Sequence, residues 1–382
     1  MLGACSHLPF SAFSDSSVNE KEASSLRDES QGVHSASKNT HSQAFGSREW
    51  VESLLPDGIR DPNGWSKDID SAFGSLKVPK TTENGCAVIA VVEQESSFKA
   101  EPTVAGLPAI IRKELKQRQD KYKIPGWMVE KALEVKSPKG GTYNQRIDAL
   151  RTENDVNRLF DDMTSELPLG KQLLANYNPV KTGGPMQVSV AFARDFVKHK
   201  RYPYAYDGSL RSEVFSRRGG LFFGIAYLLS YPVRYSDIVY RFADYNAGHY
   251  ASRNAAFQRV LHTLTGRDID YDGDLLRYHE GEVSKDPSQT LEAVWALSQR
   301  LDMTRADIER DMQLEKSADF SKSALFEKTF QLVKKTSGRT WSHEEMPDIH
   351  LNSPKFTRSL TTSIFAHRVK DRYETCLNRA GR

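Results

Sequence analysis

Apolar residues recur along most of this chain three and four positions apart, the spacing of helix faces, and alternating strand patterns are scarce. One stretch departs from the one-sided pattern. Cys86–Val92 is seven consecutive apolar residues, followed at once by Glu93, Gln94, Glu95, Ser96 and Ser97. Periodicity alone leaves such a run open between a buried helix and a buried strand. Thr81 or Thr82 offers an N-cap for a helix carrying Cys86 to Glu95. Further helices are expected over 49–55, 65–76, 110–122, 127–135, 154–165, 187–199, 210–230, 236–245 and 252–265. The pattern continues over 289–301, 305–314, 323–335 and 357–378. Pro56 and Pro79 end the first two, and Lys139-Gly140-Gly141, Thr182-Gly183-Gly184 and Gly219-Gly220 read as breakers. The expected fold class is mostly α, with no internal repeat.

Composition narrows this picture. With 382 residues, 38% of them hydrophobic, the chain can bury one large core or two small ones. Its 53 basic and 50 acidic residues leave a formal charge of +3, which speaks against an electrostatically driven nucleic-acid binder. The longest apolar run, Leu221 to Val233, is broken by Gly224 and Pro232 and falls short of the roughly 18 residues of a spanning helix. Residues from Ser6 to about Gly46 are rich in Ser, Asn and Gln with almost no apolar periodicity, so 1–46 reads as a tether and 47–382 as the helical domain. There is no CxxC and no Cys/His cluster, so neither a zinc site nor another cofactor is expected. Cys86 and Cys376 would form an even pair in an oxidising compartment, although a buried free thiol suits Cys86 equally well.

The candidate chemistry starts from the carboxylates that end the apolar run. A carboxyl group at the rim of an apolar core is poorly solvated, which disfavours its charged form and suits a general acid near neutral pH. Further along come Gly184-Pro185-Met186-Gln187 and Asp244-Tyr245-Asn246-Ala247-Gly248. Together with Glu95-Ser96-Ser97-Phe98, and in this order, they resemble the Glu-Ser, Gly-Leu-Met-Gln and Ala-Tyr-Asn-Ala-Gly motifs of the lytic transglycosylases. That family is lysozyme-like and cleaves peptidoglycan. The resemblance implies a lysozyme-like helical core with Glu95 as catalytic acid and then base. Ser96, Met186, Gln187, Tyr245 and Asn246 would be substrate-side residues. Ser96 would steady the turn, Met186 and Gln187 would lie against the glycan, and Tyr245 would tune Glu95. Asn246 would hold backbone more than substrate, and Gly248 would permit a turn. Glu93, two residues before Glu95, would point about 200° away on a helix, so only one of the pair can face a cleft. The partner implied is a peptidoglycan glycan strand.

The chain departs from the family pattern in three places. About ninety residues separate Glu95 from Gln187, where the family has a few tens, so 99–181 reads as a helical insertion at the cleft rim. Pro185 replaces the usual Leu, and Asp244 the usual Ala. Met1-Leu2-Gly3-Ala4-Cys5-Ser6 resembles the end of a bacterial lipobox. It implies lipidation at Cys5, a periplasmic location on the outer membrane, and room for envelope protein partners.

Several alternatives stay open. If Asp244 reached the cleft it could activate water and make the protein a goose-type lysozyme-like hydrolase, although a solvated helix-end aspartate is the simpler reading. A glycan-binding or envelope-assembly lipoprotein without catalysis is another possibility. Asp268-Ile269-Asp270-Tyr271-Asp272-Gly273 opens like an EF-hand, but the bidentate position is His279, with Glu280 one residue late, so an acidic turn is expected. Tyr202, Tyr204 and Tyr206 could stack on sugars or simply pack a loop. From about Ser284 the chain reads as a C-terminal helical extension, 284–382.

Overall fold

The computed structural model describes residues 49–167, 178, 180–206, 208–279, 282–351 and 360–381. Cys5 and the tether lie outside these residues. Among them, seventeen α-helices and one 3-10 turn carry the architecture, with three two-stranded hairpins. The chain is mostly α, as expected.

The first helices are α1 (Glu49–Leu54), α2 (Pro62–Leu76) and α3 (Thr82–Ser96). Thr81 is the cap of α3, its hydroxyl accepting from the Asn84 amide at 3.2 Å. The ambiguous apolar run is thus a helix, and it is buried all round from Gly85 to Val92. A helix without a polar face needs partners on every side. These are α1, α10 (Arg217–Leu229) and, most extensively, α17 (Thr362–Ala380).

Residues 99–181 hold α4 (Leu107–Lys121), α5 (Gly126–Glu134), α6 (Tyr143–Asp148) and α7 (Glu153–Glu166). The short α6 escapes a periodicity reading; it is set by a capping box between Thr142 and Gln145. Leu107, Ile111, Tyr143, Ile147, Phe160 and Met163 join the main core, so this stretch is continuous with it. A hairpin follows, β1 (Thr182–Gly183) and β2 (Val188–Ser189), then α8 (Val190–His199), α9 (Leu210–Phe215) and α10. The expected helices 187–199 and 210–230 are corrected here. Gln187 sits in the hairpin turn and not in α8, and the second helix breaks at Ser216, whose hydroxyl accepts from the Gly219 amide at 3.0 Å. Gly219 and Gly220, expected as breakers, lie inside α10.

Next come α11 (Ile238–Ala247) and α12 (Ala251–Thr265). From Ala256 a second hydrophobic core begins, built with Leu275, Leu276, Val294, Met312, Phe320 and Phe326. Its remaining elements include α13 (Gln289–Ala296), α14 (Ser298–Leu301), α15 (Arg305–Met312) and α16 (Ala324–Ser337). A buried carboxylate holds this core to its loops. Glu315, fully buried, accepts from the Leu275 and Leu276 amides at 2.6 and 3.0 Å and from the Tyr278 hydroxyl. Burial is the main reason its pKa rises to about 7. Asp272 of the EF-hand-like opening likewise works within the fold, its Oδ1 accepting from Gln258 Nε2 at 2.8 Å and the Asp274 amide at 3.0 Å.

The expected extension 284–382 is not one unit. Its earlier part belongs to the second core, whereas α17 returns to the first, where Phe365, Ala366, Val369 and Tyr373 pack. Cys376 is disulfide-bonded to Cys86 across a Cα–Cα distance of 5.5 Å, which answers the question the sequence left open and joins α17 to α3.

Candidate active site

Helix α3 sets the position of Glu95. On the opposite face Glu93 Oε1 lies 3.9 Å from Arg372 Nε of α17, in keeping with the roughly 200° between the two positions on a helix. Glu95 is 5% exposed and Ser96 4%. The Ser96 hydroxyl donates back to the Val92 carbonyl at 3.0 Å. The chain then takes an uncommon course: Ser97 and Phe98 both adopt left-handed backbone, φ 50° and 56°, although neither is glycine. Such conformations persist only where surrounding packing enforces them. Here Phe98 is buried and meets Trp65 edge-on, ring centres 5.2 Å apart. A cavity of about 610 Å³ opens beside this turn, lined among others by Trp65, Ser97, Phe98, Lys99 and Arg217.

The hairpin between β1 and β2 carries the second motif. Gly184 has φ +73° and Gln187 φ 51°. Helix α10 receives the hairpin on a smooth strip made by Gly220 and Gly224, one turn apart. A Cβ on Gly220 would come 2.6 Å from Pro185 Cδ, and one on Gly224 would come 2.5 Å from Met186 Sδ. Met186 is fully buried in this notch. The expectation that its side chain lies against a glycan is therefore corrected: its side chain packs inward, and it is its carbonyl that faces the third motif. Gln187 is half-buried, its Nε2 donating to the Gly184 carbonyl at 3.2 Å and its Oε1 accepting from the Thr182 hydroxyl at 3.4 Å.

Tyr245 joins the three segments. Its hydroxyl donates to the Met186 carbonyl at 2.6 Å. Burial first, then the nearby charge of Glu95, pushes its pKa well above the ordinary value, so it stays a donor. Asn246 holds scaffold: its Oδ1 accepts from the Thr362 hydroxyl at 2.9 Å, tying the end of α11 to the start of α17. Gly248 ends α11 at φ 117°, a turn that glycine permits.

Asp244 is neither solvated nor open to a cleft, which corrects both expectations. It is fully buried and accepts from the Tyr231 and Tyr235 hydroxyls at 3.2 and 2.6 Å and from the Tyr250 and Ser252 amides at 3.0 and 2.7 Å. Its pKa still rises to about 6 because burial outweighs those donors. The aromatic cluster is also structural, with Tyr202 bonded to Glu213 at 2.5 Å and stacked on Phe223.

One residue near the site went unnoticed in the sequence. His249 is stacked between Tyr227 and Tyr231 at 4.1 and 4.0 Å, and its Nε2 lies 2.7 Å from the Tyr227 carbonyl. A carbonyl only accepts, so Nε2 carries the proton. Burial lowers the His249 pKa to about 4, which keeps the ring neutral. Its signal was its place directly after the third motif.

These features define a mostly helical protein with two cores, in which a buried glutamate, a tyrosine and a glycine-seated hairpin converge. Residues 58–379 match the family described as protein of unknown function DUF1615, and the chain belongs to that family. It is 44% identical over 327 residues to the uncharacterized protein YaiW of Escherichia coli (strain K12), covering 86% of this chain and 88% of that one. No solved structure matches.

Proposed function

We propose that this protein is a lytic transglycosylase with a lysozyme-like helical core, cleaving the β-1,4 bond between N-acetylmuramic acid and N-acetylglucosamine of peptidoglycan. The observation that carries the reading is the convergence on Tyr245. Three motif segments far apart in sequence meet there, with the hydroxyl on the Met186 carbonyl and the Glu95 charge within electrostatic reach. Chance resemblance of three short motifs gives no reason for their meeting.

In this mechanism Glu95 protonates the leaving glycosidic oxygen as positive charge builds at the anomeric carbon. The side chain is buried, so little water competes with the glycosidic oxygen for its proton. The resulting carboxylate takes the proton of the muramic 6-hydroxyl as that oxygen closes on the anomeric carbon, giving a 1,6-anhydro product and consuming no water. One carboxyl group suffices, whereas hydrolysis by the usual route needs two. Asp244 is saturated with internal donors, so the goose-type hydrolase lacks the second carboxylate suggested for it. Gln187, half-buried, offers the second N–H of its amide to the glycan, and Tyr245 orients the hairpin relative to the acid. The Cys86–Cys376 bridge supports an oxidising, periplasmic location, in keeping with lipidation at Cys5.

The test is Glu95→Gln, nearly isosteric, on purified peptidoglycan with mass spectrometry of released fragments. Wild type should release anhydro-ended muropeptides, and the variant, with unchanged circular dichroism and glycan binding, none. Equal release by the variant removes Glu95 as the acid. Reducing muramic ends would mean hydrolysis, and glycan binding without release by either protein would mean a binding lipoprotein.

A further inference from the structure

The segment from Leu107 to Lys139 combines two features that the active-site reading does not use. Among the described residues eight large apolar side chains are exposed, and five fall here: Tyr122, Ile124, Trp127, Met128 and Val135. Trp127 is 61% exposed, and α5 buries none of its residues fully. The same segment holds nine basic against four acidic residues, an excess larger than that of the whole chain.

Helix geometry gathers these groups. Trp127, Met128, Lys131 and Val135 project within about 100° of one another, while Val129, Ala132 and Leu133 turn inward. Lys131 Nζ lies 5.8 Å from the Trp127 ring centre, and Lys121 Nζ 5.5 Å from that of Tyr122. Lysines whose stems run along apolar surface beside aromatic rings suit a water–lipid boundary, where the rings enter the headgroup region and the ammonium groups stay wet. Over the surface itself, Lys121, Lys123, Lys131 and Lys136 outnumber Glu130 and Glu134, and that positive excess complements anionic headgroups.

We propose that α5 and the turn before it form an interfacial docking surface for an anionic phospholipid bilayer. This surface is independent of any lipid on Cys5 and of the enzymatic reading. On a tethered protein it would fix which face of the domain meets the membrane.

The test uses the full chain carrying Cys5→Ser, so that no acyl chain contributes, and large unilamellar vesicles of phosphatidylcholine with or without phosphatidylglycerol. The chain should cosediment with the anionic vesicles at low salt, at least ten-fold more weakly with neutral vesicles or at high salt. Trp127→Ala with Met128→Ala should weaken partitioning about ten-fold, and Lys121→Glu with Lys123→Glu should abolish the preference for anionic lipid. These side chains are exposed, so melting should not change. Brominated acyl chains should quench Trp127 and spare buried Trp50 and Trp65. No partitioning into anionic vesicles, or partitioning that both variants leave intact, overturns the proposal. So does a Trp127 variant that loses binding to isolated peptidoglycan while vesicle binding stays at wild-type level.

Discussion

Replacing Cys86 and Cys376 by alanine removes the one covalent link between α3 and α17. The bridge spans 290 positions of sequence. The chain-entropy relation for a loop of that size gives about 5–6 kcal/mol, while measured bridges more often contribute about 2–4 kcal/mol. A loss of about 3–5 kcal/mol is therefore expected. Both side chains are fully buried in the main core, so the alanines add a small void to that loss. With an unfolding entropy of roughly 0.65 kcal/mol/K for the 311 described residues, the midpoint should drop by about 5–8 °C. The assay is thermal melting of the wild type and the double variant with and without reductant. Reductant should lower the wild-type midpoint and leave the variant unchanged. Thiol counting in denaturant on unlipidated protein should find one free thiol, Cys5, before reduction and three afterwards. Equal midpoints together with three thiols before reduction would refute the reasoning.

Tyr245→Phe removes the donor to the Met186 carbonyl, so glycan release should fall at least ten-fold, with a stability cost of about 1 kcal/mol in denaturant titration. Gly224→Ala sets a Cβ 2.5 Å from Met186 Sδ; overpacking should cost about 1–3 kcal/mol and lower activity by displacing the hairpin. For Glu315, the folded pKa of about 7 stands above the unfolded value, so the folded state holds its proton more tightly. Stability from this group is full below about pH 4.5 and is lost as pH rises through 7. Glu315→Gln should therefore flatten the difference in stability between pH 5 and pH 8 by up to about 3 kcal/mol. Opposite behaviour would show that the carboxylate is stabilised in its charged form.

Much of this was readable from residue order because it depends on local rules. The apolar run of 82–96 leaves helix and strand open, and Thr81 as a cap, the scarcity of strand patterns and the resemblance favour helix; nearly every long helix follows its 3.6-residue spacing to within a few positions. The failures are where tertiary contact decides. Gly219 and Gly220 punctuate a sequence, yet in the fold Gly220 stays helical and makes room for Pro185, a use visible only once hairpin and helix meet. Gly220 and Gly224, four apart, were the available hint. Asp244 looked like an exposed helix end because its donors come from the preceding loop, Tyr231 and Tyr235, and from the turn into the next helix, Tyr250 and Ser252. Met186 was assigned to the glycan by its motif, although the notch that buries its side chain belongs to another helix.

The return of α17 to the first core has a consequence for the order of events during synthesis. The partner that buries α3 most extensively lies beyond the second core in chain order, so α3 must wait exposed while that core is translated and can form. Maturation of the site region is thus a late event dominated by long-range pairing, which slows it. Removing α17 would strip the helix that carries Glu95 of its cover while leaving the second core intact.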